Sequence, residues 1–212
     1  MFINKKIRIN FLSIILFLSM VTSPFLVRAQ QTSIYVQNAL DLLNKITTLQ
    51  ADFVQVSPTG TIETGIFYID RPGRLRIAYN PPSPILIVAG HGLLVYYNSK
   101  LGQVTNIPLS STILGFLLSP HVTLGTIYKA VQVTNSFGQI RIKIIKVNHP
   151  ELGSITLVFS QAPFILRQWV ISDAQDQITT VSLDNIQQGM TLDQSLFSFV
   201  NPTFFQTTSP GP

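Results

Sequence analysis

The 212-residue chain contains no cysteine. Disulfides therefore contribute nothing to its stability, and no N-terminal cysteine is available for lipidation. Charge is scarce too: Asp, Glu, Lys and Arg make up 11% of the chain, against about 25% in an ordinary globular protein. Only nine carboxylates are present, and the pair Asp173/Asp176 reads as a solvated hairpin rather than an acid–base couple. The three histidines, His91, His121 and His149, each fall in or beside an expected turn, and none is spaced to share a metal with another. No Gly-x-Ser-x-Gly nucleophile elbow occurs. Gly90-His91-Gly92 opens no helix and so reads as a turn, not a phosphate loop. The sequence thus offers no catalytic constellation, metal site or cofactor site, and an enzyme is not expected.

What charge there is lies partly outside the working protein. Lys5, Lys6 and Arg8 precede an apolar run from Phe11 to Val21, Pro24 breaks it, and Val27-Arg28-Ala29 supplies a cleavage pattern. Residues 1–29 are read as a secretory signal peptide, since the run is shorter than a membrane span of about 20 residues. Four basic residues (Lys5, Lys6, Arg8 and Arg28) and no acid leave with it, so 14 basic against 9 acidic residues become ten against nine. The high isoelectric point is then no argument for nucleic acid. A soluble exported domain over 30–206 is expected, followed by a disordered tail, 207–212.

The mature chain holds more apolar residues than one core needs, and the surplus has to face something. Gln31 to Leu49 carries Val36, Leu40, Leu43 and Ile46 at steps of three and four, which predicts one long helix packed on a sheet. From Ala51 the period becomes two. Strands are expected at 51–56, 62–69, 74–79, 84–89, 93–97, 102–107, 130–134, 139–147, 153–160, 163–172 and 176–186, separated by short turns rich in Gly, Pro and Asn. Leu196-Phe197-Ser198-Phe199 is a candidate for a last short strand. Ser110 to Ser119 interrupts the meander. Its Ser110-Ser111-Thr112 can cap a short helix bearing Ile113, Leu114, Phe116, Leu117 and Leu118, ended by Pro120. A segment apolar on nearly every side has to insert into something. The expected fold class is mainly β: an unclosed antiparallel barrel of about eleven strands, with an N-terminal helix and a helical piece across its mouth.

The stretch Phe67 to Pro82 organises this barrel. Pro72-Gly73 suits the central positions of a type II turn, flanked by Arg71 and Arg74. Beyond it Leu75, Ile77 and Tyr79 point to one face, and Arg74, Arg76 and Ala78 to the other. Arg71 has two readings. Beside Asp70 it makes a surface ion pair worth under about 1 kcal/mol; alternatively its five-donor fork reaches backbone carbonyls of the helical insertion and latches the mouth. An apolar concavity rimmed by a few cations suits a ligand with a long apolar part.

These residues resemble a known family. Leu49-Gln50-Ala51-Asp52-Phe53-Val54-Gln55 and Gly65-Ile66-Phe67-Tyr68-Ile69-Asp70-Arg71-Pro72-Gly73-Arg74-Leu75-Arg76 are similar to the opening and central motifs of the LolA family, periplasmic carriers of outer-membrane lipoproteins. Tyr79-Asn80-Pro81-Pro82, Ile87 to Gly92, Val95 to Asn98, Leu101 to Val104, Trp169 to Asp173 and Leu196 to Phe199 continue the likeness. The resemblance implies an apolar cavity for lipoprotein acyl chains, loaded by an inner-membrane ABC release complex and emptied into an outer-membrane acceptor, by a monomer with no nucleic-acid role. It puts the lid on Ser110–Ser119 and the lid latch on Arg71. The cavity wall falls on Phe53, Ile66, Leu75, Ile77, Tyr79 and Val95, faced by Ile113, Leu114, Phe116 and Leu117. Two departures stand out: Ala89-Gly90-His91-Gly92 lacks the usual turn acid, and Leu75 and Ile77 stand where aromatics are common. A softer, wider cavity with its own cargo range follows. A carrier of another lipid or isoprenoid, or a lipid-responsive sensor domain, would fit the same cavity.

Overall fold

The computed structural model of the protein describes residues 24–200. The expected leader lies outside these residues up to position 23, and so does the expected tail at 207–212. Eleven strands are present: β1 (Thr48–Val56), β2 (Ile62–Asp70), β3 (Arg74–Tyr79), β4 (Ile85–Gly90), β5 (Leu93–Asn98), β6 (Gln103–Pro108), β7 (Tyr128–Ser136), β8 (Gln139–Lys146), β9 (Ser154–Gln161), β10 (Phe164–Ser172) and β11 (Ile178–Gln188). Each lies where the alternating pattern puts it. The helices are α1 (Pro24–Lys45) and α2 (Leu114–Leu117). No helix among the described residues is long and apolar enough to cross a membrane.

All eleven strands form one sheet in the order β6-β5-β4-β3-β2-β1-β11-β10-β9-β8-β7. Every neighbouring pair is antiparallel. The chain thus makes two meanders, six strands and then five, and joins them through its first and last strands. This leaves β6 and β7 as the two edges, and those are the strands that flank the apolar insertion in sequence. The insertion bridges the gap where the barrel fails to close.

Helix α1 differs from its expectation at both ends. It begins at Pro24, upstream of Gln31, and stops at Lys45 because the strand pattern takes over at Thr48. Ala39, Leu43 and Ile46 are buried in the main core, with Val36 and Leu40 packed against it. In the Pro72-Gly73 turn Gly73 takes the positive φ, +75°, that the expected turn needs, and the Arg71–Pro72 peptide is cis. The C-terminal stretch forms a 3-10 turn, Gln194–Phe197, where a strand was expected. It covers the convex face of β3–β5. Arg76 donates to the Leu196 carbonyl at 3.1 Å, and Phe197 is buried. The outward arginines therefore hold the chain's own C-terminal segment rather than facing only water.

On the concave face a stack of rings depends on one missing side chain. Phe53 lies opposite Gly65 in the β1–β2 pair, and a Cβ at Gly65 would sit 2.8 Å from the Phe53 ring and against the Ala78 carbonyl. Tyr79 meets Phe53 edge-on at 5.2 Å and donates its phenol to Gln55 Oε1 at 2.9 Å. Burial, followed by the nearby Glu63 carboxylate, pushes the Tyr79 pKa up to about 12. Two outcomes are expected. Gly65→Ala overpacks this stack and lowers the urea-unfolding free energy by about 1–3 kcal/mol; an unchanged midpoint contradicts the packing. Between pH 10 and pH 12 the unfolded chain has released the Tyr79 proton and the folded chain has not. Stability is therefore present below pH 10 and falls, by roughly 2–3 kcal/mol, as pH rises through that window. Tyr79→Phe should flatten the fall in urea titrations at stepped pH.

Candidate functional site

The insertion plugs the concavity. A 3-10 turn at Leu109–Ser111 leads into α2. The expected serine cap is absent: Ser111 and Thr112 turn their hydroxyls back onto the carbonyls of Pro108 and Leu109, at 2.7 Å and 2.9 Å, and Ile113 at the helix start offers no side-chain cap. So short a helix is held by its packing, because isolated turns do not persist in water. Phe116 is fully buried, and Ile113, Leu117 and Leu118 are 5%, 5% and 2% exposed. Leu114 packs on the same core. Phe116 lies 5.1 Å from the Tyr128 ring, whose phenol pKa burial raises. At Gly115 a Cβ would come within 3.0 Å of the Leu109 carbonyl, so the lid folds tightly on itself there.

Phe53, Leu75, Ile77 and Tyr79 lie in or against the main apolar core, with Phe67, Ile69, Ala89 and Leu94. The rings of Phe67 and Trp169, the chain's single tryptophan, are 4.8 Å apart. Two expected wall residues are on the other face. Gly65, Phe67 and Ile69 point inward, so Ile66 points outward. On β5, Leu94 is inward, so Val95 is outward, where it pairs with Val88 beneath the C-terminal turn. A shift of one residue changes the face in a strand, and apolar character alone did not show that the convex face is also partly covered.

Arg71 forms neither contact considered for it. The Asp70 carboxylate, 8% exposed, is taken by Arg74 at 2.8 Å and by Gln194 at 2.9 Å. The Arg71 guanidinium instead donates to the Leu43 carbonyl at the C-terminal end of α1, where a cation is favoured by the helix dipole. Its backbone N–H donates to Thr47 at 2.8 Å. Burial lowers its pKa from the ordinary value, and its Nε is buried without a hydrogen-bond partner. The contact from this turn to the lid comes from the backbone two residues on: Gly73 N–H donates to the Leu118 carbonyl at 2.9 Å. A side chain missed by sequence reasoning, Asn44, holds the exit of the lid, donating to the Val122 carbonyl at 2.9 Å and accepting from its N–H at 2.8 Å. Only its step of one from Leu43 on the helix marked it.

Beside the lid runs a groove of about 700 Å³. Pro72, Gly73, Leu109, Leu118, Ile127 and Tyr128 line it, with Lys146 and His149. The three histidines are exposed in loops, and His149 pairs with Glu151 at 2.9 Å. The arrangement comprises an apolar plug, an apolar wall and a groove leading along the plug. Such an arrangement suits contact with apolar matter.

Comparison with known proteins bears on that arrangement. The family described as "Outer membrane lipoprotein carrier protein LolA" matches residues 44–200. A protein of Methylococcus capsulatus named outer-membrane lipoprotein carrier protein is 31% identical over 168 residues, 76% of this chain and 80% of its own length. One of the same name from Nitrosomonas europaea is 28% identical over 198 residues, 89% of this chain and 93% of its own. An uncharacterized protein of Rickettsia prowazekii is 26% identical over 173 residues, 82% and 80% of the two chains. From the Arg71 turn and the plugged half-barrel to the last turn at Phe197, the matched region contains every element of the site except most of α1, and the chain belongs to the LolA family of outer-membrane lipoprotein carriers, which are not enzymes.

Proposed function

We propose that this protein is a periplasmic carrier whose lid withdraws from the concave face and is replaced there by the acyl chains of a lipoprotein. The observation that carries this is the burial of Ile113, Phe116, Leu117 and Leu118 in the gap of a barrel that does not close. Burying one large apolar side chain contributes about 1.5–3 kcal/mol, so removing four costs about 6–12 kcal/mol. A buried methylene contributes about 0.8 kcal/mol, so about eight to fifteen methylenes offset that cost. Lid and acyl chain are thus near-equal competitors for one surface, which is what loading and unloading at two membranes require. An inner-membrane ABC release complex would supply the cargo and an outer-membrane acceptor would receive it. The groove beside the lid is the path by which the chain enters. Arg71 acts at one remove, by keeping the turn that carries Gly73 against the end of α1.

Three measurements test this reading. Calorimetric titration should show binding of a diacylated lipopeptide and none of the same peptide without its acyl groups. Binding of phospholipid in preference to the lipopeptide would move the function to general lipid transport. Phe116→Ala weakens the plug by about 3–5 kcal/mol and so raises the fraction able to bind; apparent affinity should rise at least about tenfold, and an unchanged affinity contradicts exchange of lid for acyl chain. Arg71→Leu should keep the far-ultraviolet circular dichroism spectrum and impair transfer of bound lipopeptide to acceptor vesicles. Normal transfer by that variant would remove Arg71 from the mechanism.

A further inference from the structure

The insertion is tied to the rest of the molecule at three places. At its entry, Leu109 N–H donates to the Gly92 carbonyl at 2.8 Å, and Lys146 Nζ donates to the Ser110 carbonyl at 2.7 Å. In the middle is the single bond from Gly73 N–H to the Leu118 carbonyl. At the exit, Asn44 meets both backbone groups of Val122. The three ties differ in kind. The entry tie continues the strand pairing of β5 with β6, because Leu93 is paired with Pro108 one step before. The middle tie is one backbone bond beside the groove. The exit tie is a side-chain amide that reproduces, toward one residue, the donor and acceptor of a β-strand neighbour.

We propose that Asn44 is the positioning residue of the lid: it fixes Val122 as the point about which segment 113–118 swings, so that opening breaks the Gly73–Leu118 bond and leaves the Asn44–Val122 pair intact. This rests on the carrier reading in that the lid moves, and it adds which residue sets where the lid returns. Val122 is 1% exposed, so the anchored residue is itself packed into the fold. Asn44 is exposed and its side chain buries nothing comparable, so its two hydrogen bonds are its contribution. The site on α1 is also well supported. Leu43, the residue before it, is 3% exposed, and its carbonyl receives the Arg71 guanidinium. The cation and the amide therefore act on consecutive residues of one helix end: Arg71 secures that end, and Asn44 uses it to hold the lid. A segment tethered at Leu109 and at Val122, and held between them by the packing of its apolar side chains and one hydrogen bond, has a defined closed position.

The test is amide hydrogen exchange on the cargo-free protein. The reporters are the N–H groups of Phe116 and Leu118, which bond to Ile113 and Leu114 in the closed lid, set against those of β9. Two variants are compared, Asn44→Ala and Asn44→Leu. Both residues favour helix more than Asn does, so neither weakens α1, and Leu keeps side-chain bulk while removing both bonds. In both variants protection of Phe116 and Leu118 should fall about fivefold or more, and protection of β9 should stay within twofold of the parent. Unchanged lid protection overturns the proposal. A parallel loss of protection in β9 also overturns it, since Asn44 would then stabilise the whole sheet rather than place the lid. Because no lipid is present, a failure of the lipopeptide titration leaves this result standing, and a failure here leaves the carrier reading standing.

Discussion

The structure depends on an apolar surface that the sheet cannot cover by itself. Five strands run out beyond β1 and four beyond β11, and the last of each, β6 and β7, do not pair. A fully closed barrel would pack its interior with strand side chains. Here the inner face of β1–β5 and β8–β11 stays open between the edges, and α1 and the short insertion must fill it. The insertion joins the two unpaired edges in sequence, so its position over the gap is set by connectivity before any contact is made. Its apolar residues then settle how deep it sits.

Polar contacts add direction to that apolar drive. Buried aliphatic and aromatic groups would accept many lid positions, whereas hydrogen bonds of fixed geometry select one. The Arg71–Gly73 turn supplies two of them in opposite directions, one to the end of α1 and one to the lid. Asn44 supplies the return contact from α1 to the lid exit. Helix end, turn and lid exit thus form a closed triangle. None of its sides is an ion pair; the ion pair of this region, Asp70–Arg74, faces the convex side and ties the hairpin to the C-terminal turn. A charged guanidinium with an unpartnered buried Nε makes the arrangement costly to keep dry, which suits a mouth that opens.

Much of this was legible in the residues. All eleven strands followed from the two-residue period and the turn chemistry, and the insertion announced itself because Ile113 to Leu118 has no polar side. What escaped was whatever depends on the partner rather than on the segment. Ile66 and Val95 are as apolar as the wall residues beside them, and only the register against Phe67 and Leu94 shows that they face outward. Arg71 next to Asp70 in sequence suggested a pair, yet in β2 and β3 the residue opposite Asp70 is Arg74, and the carboxylate goes there. The contact of Gly73 with Leu118 uses only backbone atoms and leaves no mark on composition. Asn44 carries one of the commonest polar side chains on an otherwise ordinary helix face, and its partner is 78 residues away.

The central claim is that a lipoprotein's acyl chain replaces the lid inside the half-barrel, in the apolar core that includes Phe67 and Trp169. Trp169 is 2% exposed and is the chain's single tryptophan, so its fluorescence reports on that space alone. The direct measurement is quenching of Trp169 by a lipopeptide whose acyl chains carry bromine near their ends, compared with the unbrominated lipopeptide at equal occupancy. Strong quenching by the brominated chains, with little by the plain ones, is the predicted result. Full binding with no quenching would place the chains outside the half-barrel and contradict the exchange of lid for lipid.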